Sequence, residues 1–403
     1  MKYTHYLILV LLFASCGNNN KSSSSAVSLF NKTEIDTIEQ VTAIVNPVTI
    51  HIDAEIKPLY DSISVDNIID DIRLIPLETN EKSFIGGTPM IFKVNDYYVI
   101  NDGRPITPKI KVFGNDGKYL DDAYLIGRGP DELPTAFECA IDYSSKELYL
   151  QGPGKVLVYS LMTGERRHFE TADRHGFRSM VSLNNGSFMA VDNTVNIDNS
   201  TKKIWRPIFY FLDSEMRVTD SILSYKAIQR MIEGSAPFPI LADQLYDCNG
   251  RVLCKEDLCD TVFLVNKNKT FTPVMIIDIP EKLSPTIKNS EMDNWEKKTK
   301  MIYIRNILES KDYVFITYRF RDLDNMGIWD KQTGDYLYGF SAFASSYIQV
   351  ELNDRKCLLP FYCVEWESNT IVAIASPSQY PNLMPNMSRD DNPVVVEVKL
   401  KER

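Results

Sequence analysis

The sequence is poor in the residues and short motifs that carry most metal and nucleophile chemistry. Its 403 residues contain four histidines, and neither an H-E-x-x-H nor a G-x-S-x-G pattern occurs. No C-x2-C pair is present that could hold zinc. The stretch Gly152–Lys155 lacks the spacing of a phosphate-binding loop. We therefore predict no cofactor, no metal site and no catalytic residue.

An excess of positive charge and long apolar runs are also missing. The chain has 54 Asp and Glu against 44 Lys and Arg, so its formal net charge is -10. A nucleic-acid-binding surface needs a basic face, and this balance argues against such a partner. Beyond the N-terminal region no segment reaches about 18 consecutive apolar residues, so we expect no membrane-spanning helix.

The N-terminus has the pattern of a bacterial secretory signal. Lys2 supplies a positive charge, Tyr6–Ala14 is apolar, and small residues precede Cys16. The run Ala14-Ser15-Cys16 resembles a lipobox, which implies cleavage before Cys16 and a lipid on its thiol. Such a lipid would anchor the protein to a membrane without spanning it. The alternative is an ordinary secretory signal with a chance cysteine.

These features predict three parts of the chain. Residues 1–15 form the signal peptide, residues 16–46 carry the lipidated Cys16 and a flexible tether, and residues 47–403 form the body. The tether is rich in Asn, Lys and Ser, which is typical of a flexible linker.

Two of the remaining six cysteines are candidates for a disulfide. Cys254 and Cys259 flank four residues between two strand-like runs. A four-residue hairpin loop would set them opposite each other at bonding distance, and an exported chain can oxidise them. The alternative is that both are free and act as small apolar side chains.

From Pro47 to Val398 the chain reads as many short strands. Turn signals such as Asn115–Gly117, Asn184–Gly186 and Thr333-Gly334 separate the runs. This pattern predicts an all-β fold. Residues 284–300 have some helical character and are interpreted as a loop insertion.

A sequence repeat indicates which all-β fold the chain adopts. An apolar pair ending in an aromatic residue is followed by a polar turn, at intervals of roughly 45 to 65 residues that are typical of β-propeller blades. The five copies are Val112–Lys118, Val158–Glu165, Tyr210–Glu215, Val262–Lys269 and Ile328–Asp335, and Cys357–Leu400 forms a terminal unit. We predict a six-bladed β-propeller of four-stranded antiparallel blades. A pair of β-sandwiches is the alternative.

A ring of blades has to be closed by one of its ends. We expect an N-terminal strand, either Val48–Ile52 or Ile69–Leu77, to complete the sheet that ends with Val394–Leu400. Packing in a ring then leaves only short free strand edges.

Three segments resemble the six-bladed β-propeller lipoproteins of Bacteroidota, which are similar in shape to NHL-type propellers. The segments are Asp71–Thr79, Ile126–Glu132 and Asp260–Phe263, and the resemblance covers Val48–Leu400. It implies the propeller fold and no general enzymatic activity. The chain departs from the family pattern at Asp131, where a glycine is common.

The segment Gly127–Glu132 is the predicted binding site. It follows the outer strand of the first predicted blade, so it crosses one face of the disc toward the central channel. Arg128 could present its planar fork to a carboxylate or to sugar hydroxyls, and Asp131 and Glu132 could accept hydrogen bonds. The alternative is an internal Arg128–Glu132 pair that only holds the loop in shape.

The predicted function is that of a non-catalytic binding module in the cell envelope. Its ligand would be a peptide, a glycan or a partner protein, and no nucleic acid is expected. The alternative is a glycan-active hydrolase or lyase with its site at the mouth of the channel. We expect attachment to the outer membrane. The periplasmic side is favoured over the cell surface, because the residues after Cys16 lack the acidic run linked to surface export in Bacteroidota.

Overall fold

The computed structural model describes residues 46–52, 67–86, 89–102, 109–136, 138–171, 177, 179–191, 209–222, 245–255, 259–279, 302–320, 323–342, 346–381 and 383–403. The predicted signal, most of the tether and the segment 284–300 lie outside these residues. Within them no helix is long and apolar enough to cross a membrane.

The described residues form 28 strands, most of them in six sheets. The N-terminal strands are β1 (Val48–His51) and β2 (Ile69–Pro76). The first sheet contains β3 (Met90–Val94), β4 (Tyr97–Asn101), β5 (Ile110–Gly114) and β6 (Tyr119–Asp122), and a short parallel pair follows, β7 (Leu125–Ile126) and β8 (Glu132–Leu133). The second contains β9 (Glu138–Asp142), β10 (Glu147–Gly152), β11 (Lys155–Ser160) and β12 (Arg166–Glu170). The third contains β13 (Ser179–Ser182), β14 (Phe188–Val191), β15 (Phe209–Leu212) and β16 (Val218–Ile222).

The remaining three sheets follow in the same order. The fourth contains β17 (Leu245–Cys248), β18 (Arg251–Cys254), β19 (Thr261–Val265) and β20 (Phe271–Asp278). The fifth contains β21 (Tyr303–Glu309), β22 (Tyr313–Phe320), β23 (Leu323–Asp330) and β24 (Tyr336–Ala342). The sixth contains β25 (Ser346–Leu352), β26 (Arg355–Glu365), β27 (Thr370–Ala375) and β28 (Val394–Leu400).

Apolar packing arranges the six sheets in a ring. The buried apolar residues form six clusters, and each cluster is shared between two neighbouring sheets. One of them joins the last sheet to the first, with Val372 and Val395 packed beside Ile91 and Tyr98. Six sheets with six shared interfaces form a closed ring, and the predicted six-bladed β-propeller is confirmed. The five sequence repeats coincide with the third strand and following turn of the first five blades.

The N-terminal strand β2 closes the ring. It pairs antiparallel with β28 from Pro76↔Val394 to Ile69↔Leu400. Strand β26 changes partner at Phe361, which lies opposite both Ser346 of β25 and Ala373 of β27. The last blade therefore consists of residues 361–365, β27, β28 and β2, and β25 forms a separate hairpin with the first half of β26. Closure by the segment around residues 69–77 is confirmed. The other candidate, β1, instead runs parallel to β20 in the fourth blade.

The two ends of the strands define two faces of the disc. We name the strands of each blade A to D from the centre outward; A strands of neighbouring blades contact each other, as β9 does β13 and β13 does β17. Because the strands alternate in direction, all A–B and C–D turns lie at one end, here called the turn face. The B–C and D–A connections lie at the other end, here called the loop face. The segment Gly127–Glu132 is a D–A connection and belongs to the loop face.

The hairpin that contains Cys254 is formed by β18 and β19, but its connection is longer than the predicted four-residue loop. Cys254 lies opposite Phe263 and Leu253 opposite Leu264, so the register places Cys259 inside the connection. Both cysteines are free thiols in the structure, Cys254 buried and Cys259 half-buried. The sequence places the two residues at hairpin spacing, but β19 begins only at Thr261.

Candidate functional site

The A–B turns of the turn face share a backbone feature. Five of the six turns contain a non-glycine residue with a positive φ angle, in four cases an asparagine. These residues are Asn95, Lys146, Asn184, Asn249 and Asn369. Asparagine tolerates this left-handed conformation better than most residues, so the turn signals of the sequence have a direct structural reason.

Asn184 ties three of these turns together. Its Oδ1 accepts a hydrogen bond from the Tyr143 backbone N–H of the second blade at 2.8 Å. Its Nδ2 donates to the Gly250 carbonyl of the fourth blade, also at 2.8 Å. The side chain is largely buried, and both of these partners lie in neighbouring blades. Asn184 therefore fixes the spacing of the second, third and fourth blades at the turn face.

A second asparagine joins the fifth and sixth blades in the same way. The Oδ1 of Asn369 accepts from the Asp312 backbone N–H at 3.1 Å, and its Nδ2 donates to the Asp312 carboxylate at 2.6 Å. The backbone N–H of Lys311 donates to the Trp366 carbonyl at 2.9 Å. Backbone hydrogen bonds to buried polar groups hold these turns rigidly.

A cavity of about 560 Å³ opens between the turns of this face. Its walls come from the A–B turns of the fourth and sixth blades, the C–D turn of the fourth blade and Leu183 of the third. The polar and aromatic lining includes Asn249, Arg251, Lys267 and Trp366. We call this cavity the Trp366 pocket. Its volume is within the range of small-ligand sites in proteins.

Trp366 lies outside the described apolar core. It is half-buried, but it packs against none of the six apolar clusters that hold the blades together. Within the described residues its indole N–H has no hydrogen-bond acceptor. A tryptophan in a pocket wall that contributes to no described core is available to contact a ligand.

Two cations approach the Trp366 ring. The Arg251 guanidinium lies 4.5 Å and the Lys331 ammonium 4.2 Å from the ring centroid. Both bind the carboxylate of Glu309, through contacts of 2.7 Å each. Burial lowers the pKa of Lys331, and the Glu309 charge offsets part of that shift. The single carboxylate of Glu309 therefore holds both cations beside the indole.

Deeper in the centre of the ring, Asp247 is a carboxyl group with a strongly raised pKa. Desolvation raises its pKa to about 7, although the Gly250 N–H donates to its carboxylate at 2.8 Å. The Tyr143 phenol interacts with the same carboxylate, and the charge of Asp247 also acts on the thiols of Cys139 and Cys363. These groups come from the second, fourth and sixth blades, so they meet in the central channel. Within the described residues no cluster of His, Cys, Asp and Glu could hold a metal ion.

The sequence-predicted site lies on the opposite face. Glu132 folds back over its own loop, where its carboxylate accepts from the Gly129 N–H at 2.7 Å and fills the space beside Gly127. Lys155 donates to the Gly129 carbonyl at 2.7 Å and fixes the loop to the second blade. The expected Arg128–Glu132 pair is therefore not what shapes the loop. Arg128 and Asp131 are exposed, and the structure leaves their binding role a prediction.

The Trp366 pocket was not predicted, although the sequence contains a signal for it. The turn Glu365–Asn369 occupies the same position in its blade as Asp142–Lys146 does in the second blade, between strands A and B. In both turns an aromatic residue, Trp366 or Tyr143, follows an acid. Alignment of the A–B turns would have placed both aromatic side chains at the mouth of the channel.

Residues 47–399 match a family described as a domain of unknown function, DUF4934. The chain belongs to this family. None of the curated proteins matches it. Among solved structures, a protein of Bacteroides fragilis NCTC 9343 named as exported is 15% identical over 88% of this chain and 99% of its own, with a TM-score of 0.62.

Two further structures are more distant from this DUF4934 propeller. A member of the DUF4221 family from Bacteroides vulgatus ATCC 8482 is 12% identical over 83% of this chain and 97% of its own, with a TM-score of 0.47. The β-propeller domain of Cps50 (Swd1) from Myceliophteria thermophila is 9% identical over 81% of this chain and 100% of its own, with a TM-score of 0.41. At such identities the similarity of the B. fragilis protein establishes the fold alone.

The role of Asn184 can be separated from its backbone conformation. Asn184→Ala and Asn95→Ala both place alanine at a positive φ angle, but the exposed Asn95 has no side-chain hydrogen bond within the described residues. Asn184→Ala also removes two buried hydrogen bonds, so we expect it to lower the free energy of unfolding by about 2 kcal/mol more. Urea unfolding of both variants measures this difference. Equal losses of unfolding free energy in the two variants would contradict the role of the Asn184 hydrogen bonds in holding the blades together.

The acidity of Asp247 predicts an unusual pH dependence. A carboxyl group whose folded-state pKa is raised to about 7 stabilises the fold below its unfolded pKa, and this contribution is lost as pH rises through 7. Asp247→Asn should therefore gain stability over the wild type between pH 5 and pH 8, by about 2 kcal/mol. Urea unfolding at both pH values checks this, with the exposed Asp131→Asn as control. A pH-independent difference between Asp247→Asn and wild type would refute the raised pKa.

Proposed function

We propose that this protein is an exported, lipid-anchored binding module of the cell envelope. In this proposal Cys16 carries the lipid, and the propeller holds a glycan, a peptide or a segment of a partner protein. The secretory pattern of residues 1–15 and the exported name of the B. fragilis structure support the location. The propeller fold supports a binding role without deciding it, because the same architecture hosts many functions.

The state of Trp366 is the observation that carries the binding proposal. The half-buried indole of Trp366 lines a pocket of about 560 Å³, and among the residues that the structure describes it has neither a core contact nor an acceptor for its N–H. Rigid turns, fixed by Asn184 and Asn369, surround it. A pre-formed pocket loses less conformational entropy when a ligand binds, so these rigid turns favour binding.

Asp247 favours a second candidate function, that of a glycan-active hydrolase or lyase. A carboxyl group with a pKa of about 7 can act as a general acid or base at neutral pH. A second free carboxylate would be required for the usual hydrolytic pair. Glu309 and Glu365 are engaged by cations, Glu309 by Arg251 and Lys331 and Glu365 by Lys93 at 3.1 Å. We therefore place this candidate second.

A thermal-shift screen of glycans and peptides tests where ligands bind. A ligand at 100 times its dissociation constant stabilises the folded state by about 2.7 kcal/mol. We expect this stabilisation to be lost in Trp366→Ala, partly kept in Trp366→Phe and unchanged in Arg128→Ala. Arg128 serves as the matched control because it lies on the loop face.

The opposite result would move the site. If Arg128→Ala abolishes the shift and Trp366→Ala keeps it, then the ligand binds the loop face at Arg128 and Asp131, as the sequence predicted. Release of reducing ends from a glycan, abolished in Asp247→Asn, would establish the enzymatic candidate instead.

The lipid anchor has its own test. Cys16→Ser removes the only proposed attachment thiol, so the variant should lose the lipid mass from its N-terminal peptide and leave the membrane fraction. Mass spectrometry of the mature N-terminus measures both cleavage and acylation. If the wild-type protein is cleaved but not acylated, the N-terminus is an ordinary secretory signal and the lipid anchor is wrong.

A further inference from the structure

We propose that the Trp366 pocket recognises a carboxylate-bearing sugar, a uronate residue of an acidic glycan. The carboxylate would bind the guanidinium of Arg251 and the sugar ring would lie against Trp366. This inference rests on the proposed binding function and adds the chemical class of the ligand.

Arg251 is held in place with part of its donor set unused. Its Nε binds Glu309 at 2.7 Å and its guanidinium lies beside Trp366. Within the described residues its two Nη groups make no hydrogen bond. Glu309 is 4% exposed, so it orients the arginine from beneath while the fork of N–H groups remains for a ligand. Such a fork matches a planar carboxylate in geometry and charge.

The charges around the pocket leave a local positive excess. Glu309 neutralises only one of its two cations, Arg251 and Lys331. Lys267 is exposed in the lining and its ammonium has no partner within the described residues. This local positive charge attracts an anionic ligand, although the chain as a whole carries a net charge of -10.

The acids in the lining do not cancel this excess. Glu365 is engaged by Lys93 at 3.1 Å and by the Ser368 hydroxyl at 3.1 Å. Glu367 is exposed in the lining and offsets the charge of Lys267. The excess that remains is the one positive charge of the group formed by Arg251, Lys331 and Glu309.

The form of the pocket favours a sugar over a peptide. Its walls are turns, and turns present no free strand edge to which a peptide backbone could add. The half-buried indole of Trp366 lines the cavity and offers an aromatic surface to a sugar ring. The Asn249 amide lines the same cavity without a described partner and can bond to hydroxyl groups.

The experiment compares matched acidic and neutral sugars on the full chain. Calorimetry would use trigalacturonate, its methyl ester, and the neutral galactose trisaccharide. We expect binding of trigalacturonate only, weakened about tenfold or more by Arg251→Gln and to a smaller degree by Lys267→Gln. Arg217→Gln is the control, because Arg217 is an exposed arginine in the C–D turn of the third blade.

Each further outcome contradicts a defined part of the proposal. Equal binding of the ester and the neutral sugar, lost in Trp366→Ala, would keep the binding function and overturn the carboxylate class. Binding of a peptide that is abolished by amidation of its C-terminus, without sugar binding, would overturn the glycan class. If Arg251→Gln fails to fold, then unchanged affinity in Lys267→Gln decides against the proposal. No binding in any arm would overturn the pocket as a site.

Discussion

Closure of the ring by β2 is the constraint on which the rest of the structure depends. Residues 361–400 supply three strands of the last blade, and only the N-terminal strand Ile69–Pro76 completes it. The apolar cluster between the last and first blades includes Ile75 of that strand together with Val395 and Ile91. Without β2 this cluster would lose one wall, and the turns that build the Trp366 pocket would lose the ring that spaces them.

Polar contacts at the same junction fix the register of closure. Arg73 of β2 lies directly opposite Glu397 of β28, and their charged groups are 3.6 Å apart. Glu397 also accepts from the Tyr98 hydroxyl at 2.8 Å and binds Lys93 at 2.6 Å. Burial lowers the pKa of Lys93, but its hydrogen bonds to Glu397 and Glu365 raise it overall. Buried ion pairs contribute little net stability, so we assign this group to specifying alignment.

Much of the fold could be predicted from the sequence because each blade repeats a local pattern. The aromatic strand and polar turn at Val112–Lys118 recur at the end of the C strand in each of the first five blades, and Asp71–Thr79 contains the closing strand. The site could not be predicted in the same way, since its walls come from three blades far apart in sequence. Glu132 illustrates the difference: its composition suggested a ligand group, but two neighbouring glycines leave room for its carboxylate inside the loop. The spacing of Cys254 and Cys259 likewise did not reveal that β19 starts only at Thr261.

The turn face is the better candidate for recognition because its geometry is fixed before any ligand arrives. Asn184 and Asn369 bind backbone groups of neighbouring blades, so the turns hold one another and not only their own strands. Arg251 is oriented by a buried carboxylate, which removes most of the rotamer entropy that binding would otherwise cost. Glu309 also binds Lys331, so its single negative charge is shared between two cations and one positive charge is left for a ligand. This surface combines the oriented guanidinium group of Arg251 with the indole of Trp366, which lies outside the described core. It is therefore suited to a ligand in which a planar carboxylate is joined to a sugar ring.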